Sequence, residues 1–347
     1  MKKIHEIDRN FSVPPEARRP DTVFYSALKP PFSLHGVFFE NGCFRRCPEA
    51  LARRTNDGVL LLHAHTAGGR LRFITNSPFI VLRAEMHVVS RMPHFALTGS
   101  AGFDVYADNV FTHCFVPPFE ISEGYTAAAD LPGEAEREIT LHFPLYSGVK
   151  ALYIGLKKGC LLKAPAPYRT QAPVVYYGSS ITQGGCASRP GLAYQNILSR
   201  RLRADHLNLG FSGSAKGEQC MAQYIAGLGM SAFVMDYDHN APTPAHLANT
   251  HEAFFQTVRA QQPNLPVVFL SRPKYALTPE EEERLSIIRR TYENALRRGD
   301  ENVYLLTGPQ LTALCGNEGT VDGCHPNDLG FSSMAAALAP VLEGVLR

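Results

Sequence analysis

The chain has 347 residues, 45% of them hydrophobic and 19% charged, a balance proper to a soluble globular protein long enough for two domains of ordinary size. A formal net charge of only +2 gives no reason to expect nucleic acid as a partner, and no apolar run approaches the roughly 20 residues of a membrane span. The stretch Met1-Lys2-Lys3-Ile4-His5-Glu6-Ile7-Asp8 has lysines but no apolar segment behind them, so neither a signal peptide nor a membrane partner is expected and the location expected is cytoplasmic. The eight cysteines (Cys43, Cys47, Cys114, Cys160, Cys186, Cys220, Cys315, Cys324) form no CxxC pair and are expected as free thiols. Cys43 and Cys47 have no second pair to complete a zinc set, so no metal and no cofactor is expected.

Residues 1–168 are predicted to form an antiparallel β-sandwich, jelly-roll-like in character. Candidate strands are Val59 to Leu62, Arg70 to Thr75, Phe79 to Met86, Gly102 to Tyr106, Glu138 to Phe143 and Ala151 to Leu156. Several alternate apolar and polar residues, and turn residues such as Pro117-Pro118 and Pro132-Gly133 separate them. Lys163-Ala164-Pro165-Ala166-Pro167 reads as an extended linker.

Over residues 169–347 the texture changes. Strand-like runs Val174 to Tyr177, His206 to Leu209, Ala232 to Met235, Val267 to Leu270 and Val303 to Leu306 alternate with helical stretches. The helical stretches are Gly191 to Arg203, Glu218 to Leu228, Pro244 to Gln262, Pro279 to Arg298 and Phe331 to Leu346. Thr278 can cap the helix from Pro279, whose Glu280 to Glu283 suit its positive end. This alternation predicts an α/β domain with a parallel sheet covered on both faces.

Val174-Val175-Tyr176-Tyr177-Gly178-Ser179-Ser180 reads as a buried strand entering a tight turn, where open α/β folds present side chains to ligands. Four more polar clusters fall at predicted strand ends or loops: Asn208 to Ser214, Asp236 to Pro242, Ser271 to Pro273 and Asp322 to Asp328. Singly, each has a plain structural reading. Gly210 and Gly213 can close a turn, the two serines can cap a helix, and Asp322 with His325 can form a capped loop.

Their order and co-occurrence are what carry chemistry, and the second half resembles the SGNH (GDSL-type) hydrolases, a family of serine esterases and acylhydrolases on a three-layer flavodoxin-like fold. The family block Gly-Asp-Ser-Leu/Ile-Thr corresponds to Gly178-Ser179-Ser180-Ile181-Thr182, the glycine of the second block to Gly213, the asparagine of the third to Asn240, and Asp-x-x-His to Asp322-Gly323-Cys324-His325. The resemblance implies Ser180 as nucleophile, His325 as base, Asp322 as its orienting carboxylate, and Ser180, Gly213 and Asn240 as oxyanion donors. Two positions depart from the family: Ser179 stands for its aspartate and Asp238 for its glycine. A possible substrate pocket is assigned to Ser179, Arg189, Asp238, His239 and Arg272.

A β domain followed by this module is similar in plan to two-domain carbohydrate esterases. The expected function is therefore hydrolysis of small acyl esters, acetyl in first place, on a carbohydrate or other small-molecule partner. The alternatives are a lipid or thioester acylhydrolase and a non-catalytic carbohydrate-binding protein. Oligomeric state is not encoded in any recognisable pattern.

Overall fold

The computed structural model describes residues 19 and 21–346; the lysine-bearing segment 1–8 lies outside them. The first half contains β1 (Thr22–Ser26), β2 (Ser33–His35), β3 (Phe38–Glu40), β4 (Cys43–Arg45), β5 (Arg70–Thr75), β6 (Phe79–Val89), β7 (Phe103–Ala107), β8 (Val110–Phe115), β9 (Gly124–Asp130), β10 (Arg137–His142), β11 (Ser147–Lys157) and β12 (Leu162–Lys163). One antiparallel sheet runs β1-β11-β6-β9 and a second runs β12-β5-β10-β7-β8, with β2 beside β5. Alternation decides which side chains face inward. Leu71 and Phe73 pair with Leu141 and Ile139 across β5 and β10. They share one buried cluster with Ile80, Leu82, Leu152 and Ile154 of the other sheet. Each such side chain contributes about 1.5–3 kcal/mol on leaving water, and together they make the filling of the sandwich.

Residues Val59 to Leu62 do not form a strand. They lie in α2 (Asp57–Leu62), which follows α1 (Glu49–Thr55). The Asn56 side chain accepts the Val59 amide at 2.9 Å and so starts the helix, and Val59 and Leu62 then fall on one face at helical spacing. That face does not serve the sandwich. With Cys47, Leu51 and Ala52 it joins the core that contains Val175, Tyr177, Met221 and Ile225. The sheets fall on either side of residue 168, but the α/β core draws on side chains from the first half.

The second half holds α3 (Ser180–Gln183), α4 (Tyr194–Leu202), α5 (Gln219–Ala226), α6 (Pro244–Gln261), α7 (Pro279–Arg297) and α8 (Asp328–Val345) around β13 (Val174–Gly178), β14 (His206–Gly210), β15 (Ala232–Asp236), β16 (Val267–Leu270) and β17 (Val303–Leu306). The five strands are parallel, in the order β14-β13-β15-β16-β17. Successive residues of β13 serve opposite layers. Val175 and Tyr177 pack with α5, α6 and α7, and Val174 and Tyr176 pack with Leu198 of α4 and Phe331, Met334 and Leu338 of α8. The α7 entry carries the expected cap: Thr278 and Glu281 bond each other's backbone amides. All eight cysteines are free thiols.

Arg46 is a stitch between the halves. It has no solvent exposure, and its guanidinium donates to the carbonyls of Leu62 and His65 on its own side and of Asn208 and Gly210 across the seam. It also lies 4.6 Å from the centre of the Phe211 ring. Burial pushes its pKa down to about 10, so it remains charged at neutral pH and four carbonyls compensate for the lost water. Arg46→Met is expected to lower unfolding stability by about 3–5 kcal/mol in urea titrations, because the carbonyls lose their partner. Arg53→Met, which removes only an exposed pair with Glu49, is expected to stay within about 0.5 kcal/mol. Equal effects would refute the assignment of Arg46 as a stitch.

Candidate active site

The site is built on the turn between β13 and α3. Gly178 sits opposite Asp236 in the parallel ladder, so close that a β-carbon there would collide with the Asp236 carbonyl and the Thr182 hydroxyl. Ser179 is fully buried. Its amide donates to the Asp236 carbonyl at 3.2 Å and its hydroxyl accepts the Ile181 amide at 3.1 Å, capping α3. Contrary to the pocket assignment, it does not line the cleft, because that capping bond turns the hydroxyl back on its own helix. Ser180, the next residue, points the other way.

The Ser180 Oγ lies 3.0 Å from His325 Nε2, and His325 Nδ1 lies 2.8 Å from Asp322 Oδ2. An ionised carboxylate only accepts, so Nδ1 carries the proton and Nε2 offers its lone pair to the serine hydroxyl. Burial alone would raise the Asp322 pKa, but the amides of His325 and Cys324 and the His325 ring bring it down to about 2. Both amides donate to Oδ1, at 2.8 and 3.0 Å. The loop bearing this pair is closed by the Val321 amide on the His325 carbonyl at 2.9 Å, and Asn327 then caps α8.

One backbone amide and one side chain tie the segments after β14 and β15 to the serine turn. The Phe211 amide donates to the Gly178 carbonyl at 2.8 Å, and Asn240 Nδ2 donates to the Phe211 carbonyl at 2.9 Å. These bonds hold the Gly213 loop and Asn240 beside the turn. The second Asn240 N–H remains to be used. The Ser180 and Gly213 amides also have no partner among the described residues. Gly213 has a φ of +64° and open space where a β-carbon would stand. The left-handed backbone, more than crowding, is what calls for glycine here.

Three further pocket assignments are corrected by their partners. Arg189 donates to Asp104 Oδ2 at 2.8 Å and to the Tyr106 hydroxyl at 2.6 Å, and lies over the Phe111 ring at 3.8 Å. It clamps the two halves together. Asp238 is buried, accepts the Arg272 amide at 3.1 Å, and lies 3.4–3.5 Å from the guanidinium groups of Arg272 and Arg284. Arg272 also pairs with Glu281 at 3.3 Å. The two residues therefore brace the loop that carries Asn240, because a buried carboxylate needs compensating charge. His239 does approach the site, with Nδ1 3.7 Å from Cys324 Sγ. Burial, with Arg272 and His325 close by, pushes its pKa far down, so it is neutral.

Four residues outside any motif complete the surroundings. The Tyr146 hydroxyl donates to the Ser180 carbonyl at 3.1 Å. Phe95 packs edge-on to Tyr146, with centroids 4.6 Å apart. The His94 ring lies 5.4 Å from that of His325, and Cys186 presents its sulfur to both histidines. His94, Phe95 and Tyr146 stand on loops of the β-rich half. A groove of about 670 Å³ lined by Phe255, Arg259 and Asp300 lies where β16 and β17 begin, at the other end of the strands from Ser180.

Residues 171–343 match the GDSL-like lipase/acylhydrolase family, and residues 22–162 match the N-terminus of SGNH-hydrolase-type esterases. The chain belongs to the SGNH (GDSL-type) hydrolases. It is a serine ester hydrolase by family. A Bacteroides ovatus ATCC 8483 protein described as a GDSL-like lipase is similar over 94% of this chain and 98% of its own, at 27% identity and a TM-score of 0.83. The salicylyl-acyltransferase SsfX3 of a tetracycline biosynthetic pathway shares the fold over 95% and 100% of the two chains, at 20% identity and a TM-score of 0.78. A family two carbohydrate esterase from Clostridium thermocellum shares it over 91% and 98%, at 14% identity and a TM-score of 0.64. No curated protein matches the chain.

Under the Ser179-Ser180 turn of this hydrolase lies a buried carboxylate. Asp236 Oδ2 accepts the Thr182 hydroxyl at 2.9 Å and the Tyr194 hydroxyl at 3.1 Å. Burial raises its pKa from 3.8 to about 7 despite those bonds. Between these two values the folded chain keeps a proton that the unfolded chain has lost. Stability from the neutral form is thus complete below the lower value and falls as pH rises to the upper one. Asp236→Asn keeps an acceptor for both hydroxyls. Its melting temperature relative to wild type is expected to climb from pH 4 to pH 7 and then level; a difference constant across that range would refute a buried neutral Asp236.

Proposed function

We propose that the chain is a serine esterase that removes small acyl groups, acetyl in first place, from carbohydrate hydroxyls. The observation that supports this most is the unbroken path from Ser180 Oγ through His325 to Asp322 beside donors on Ser180, Gly213 and Asn240. His325 Nε2 takes the proton as Ser180 Oγ attacks the ester carbonyl, and Asp322 steadies the imidazolium. The carbonyl oxygen, now negative, is met by the Ser180 and Gly213 amides and the free Asn240 N–H. His325 returns the proton to the leaving alcohol, and water then releases the acyl group by the same steps in reverse.

The preference for a small acyl group draws on the aromatic wall of Phe95 and Tyr146, which crowds the His325 side of the nucleophile. The carbohydrate assignment draws on fold neighbours named as family two carbohydrate esterases and an acetyl xylan esterase. An acyl-enzyme can also pass its acyl group to an alcohol other than water, and one neighbour is named an acyltransferase.

Ser180→Ala is expected to abolish hydrolysis of p-nitrophenyl acetate. Ser179→Ala is expected to lose only the cap, about 1 kcal/mol of stability, and to keep most turnover. The reverse pattern would overturn the assignment of the nucleophile. Asn240→Ala should lower kcat on the order of 10²–10³-fold with an unchanged fold by circular dichroism; unchanged kcat removes Asn240 from the oxyanion site. Over p-nitrophenyl esters of increasing length, activity should fall after acetyl. A rise with chain length favours a lipid acylhydrolase, and acetyl release from acetylated oligosaccharides tests the alcohol.

A further inference from the structure

His94, Cys186 and His325 each offer one metal-ligating atom, and all three atoms lie within 4.8 Å of one another. Three points so spaced have a common point no more than about 2.8 Å away (4.8 Å divided by √3), against zinc bond lengths of about 2.0–2.3 Å. A shift of under about one ångström per side chain therefore brings all three to bonding distance of one ion. The cluster is assembled from three separate segments: the loop after β6, the residues after α3, and the loop before α8.

The hydrogen bonds already made decide which atom of His325 is available. Its Nδ1 carries the proton donated to Asp322 at 2.8 Å, so the lone pair that an ion could take is that of Nε2, which faces Ser180 Oγ at 3.0 Å. Asp322, His325 and an ion on Nε2 would stand in the carboxylate–histidine–metal order that fixes ring orientation and strengthens the imidazole as a ligand. Asp322 Oδ2 is also 3.9 Å from His94 Nε2, which places negative charge next to the cluster. Two imidazoles and a thiolate suit a zinc-class ion and not magnesium or calcium, which take oxygen ligands.

We propose that His94, Cys186 and His325 form a regulatory site for a thiophilic divalent cation that inhibits the enzyme by capturing its base. This rests on the reading of His325 as the base. Coordination occupies the Nε2 lone pair that must accept the Ser180 proton, and the Cys186 thiol proton leaves to solvent as its sulfur joins the ion. Water or the Ser180 hydroxyl completes a four-coordinate shell. The β-rich half would thus contribute, through His94, a ligand that the hydrolase half alone lacks.

Cobalt(II) titrated into metal-free protein gives a readout independent of turnover. A thiolate-to-cobalt charge-transfer band saturating at one equivalent is expected, displaced by zinc, absent in Cys186→Ser and retained in Cys324→Ser. In p-nitrophenyl acetate assays, zinc should inhibit wild type, a chelator should restore activity, and the inhibition constant should weaken about 10-fold or more in Cys186→Ser and His94→Gln. Absence of the band in wild type overturns the proposal, as does a band or an inhibition constant that neither substitution changes. A Cys186-dependent band in a protein with no esterase turnover supports the metal site but overturns its inhibitory role, together with the reading of His325 as the base.

Discussion

The close crossing of β13 and β15 at Gly178 and Asp236 is the constraint from which the rest of the site follows. Only a glycine lets the two backbones approach so far, and that approach lets the Asp236 carbonyl receive the Ser179 amide. Ser179 can then cap α3, and Ser180, one residue further, faces outward to His325. Beneath the turn, the Asp236 side chain accepts the Thr182 and Tyr194 hydroxyls, while burial works against its ionisation. A turn held on both sides in this way keeps Ser180 Oγ at hydrogen-bond distance from His325 Nε2.

The departures from the family pattern fit the same view. A buried aspartate at position 238 would be costly alone, but Arg272 and Arg284 converge on it, and the group braces the loop that presents Asn240. Ser179 replaces a family aspartate with another side chain able to accept the Ile181 amide. Both changes alter the scaffold of the site and leave the Ser180–His325–Asp322 path intact.

The β-rich half is bound into the hydrolase rather than strung beside it. Arg46 reaches under the end of β14, α1 and α2 fill one face of the α/β core, and Arg189 clasps Asp104 and Tyr106 in return. The consequence is local: His94, Phe95 and Tyr146 reach the Ser180–His325 pair from this half.

Much of the α/β half was legible in the sequence because its signals are local. Unbroken apolar runs marked the parallel strands, Thr278 and Glu281 marked a helix entry, and four short blocks in family order marked Ser180, Gly213, Asn240, Asp322 and His325. The helical state of Val59 to Leu62 was not legible, since a short apolar run suits a strand or a buried helix until its packing partner is known. Charged residues misled for a related reason. Arg189 and Asp238 sit near motif residues in the sequence, but Arg189 pairs with Asp104, 85 positions away, and Asp238 with Arg272, 34 positions away. Sequence alone determined the fold class, because strand and helix periodicity is local, and its family blocks singled out the residues that the structure brings together at the β13 turn. Only the tertiary structure decided that Ser179 turns inward and that the β-rich half closes on the Ser180 turn, because burial and long-range contact are properties of the folded chain.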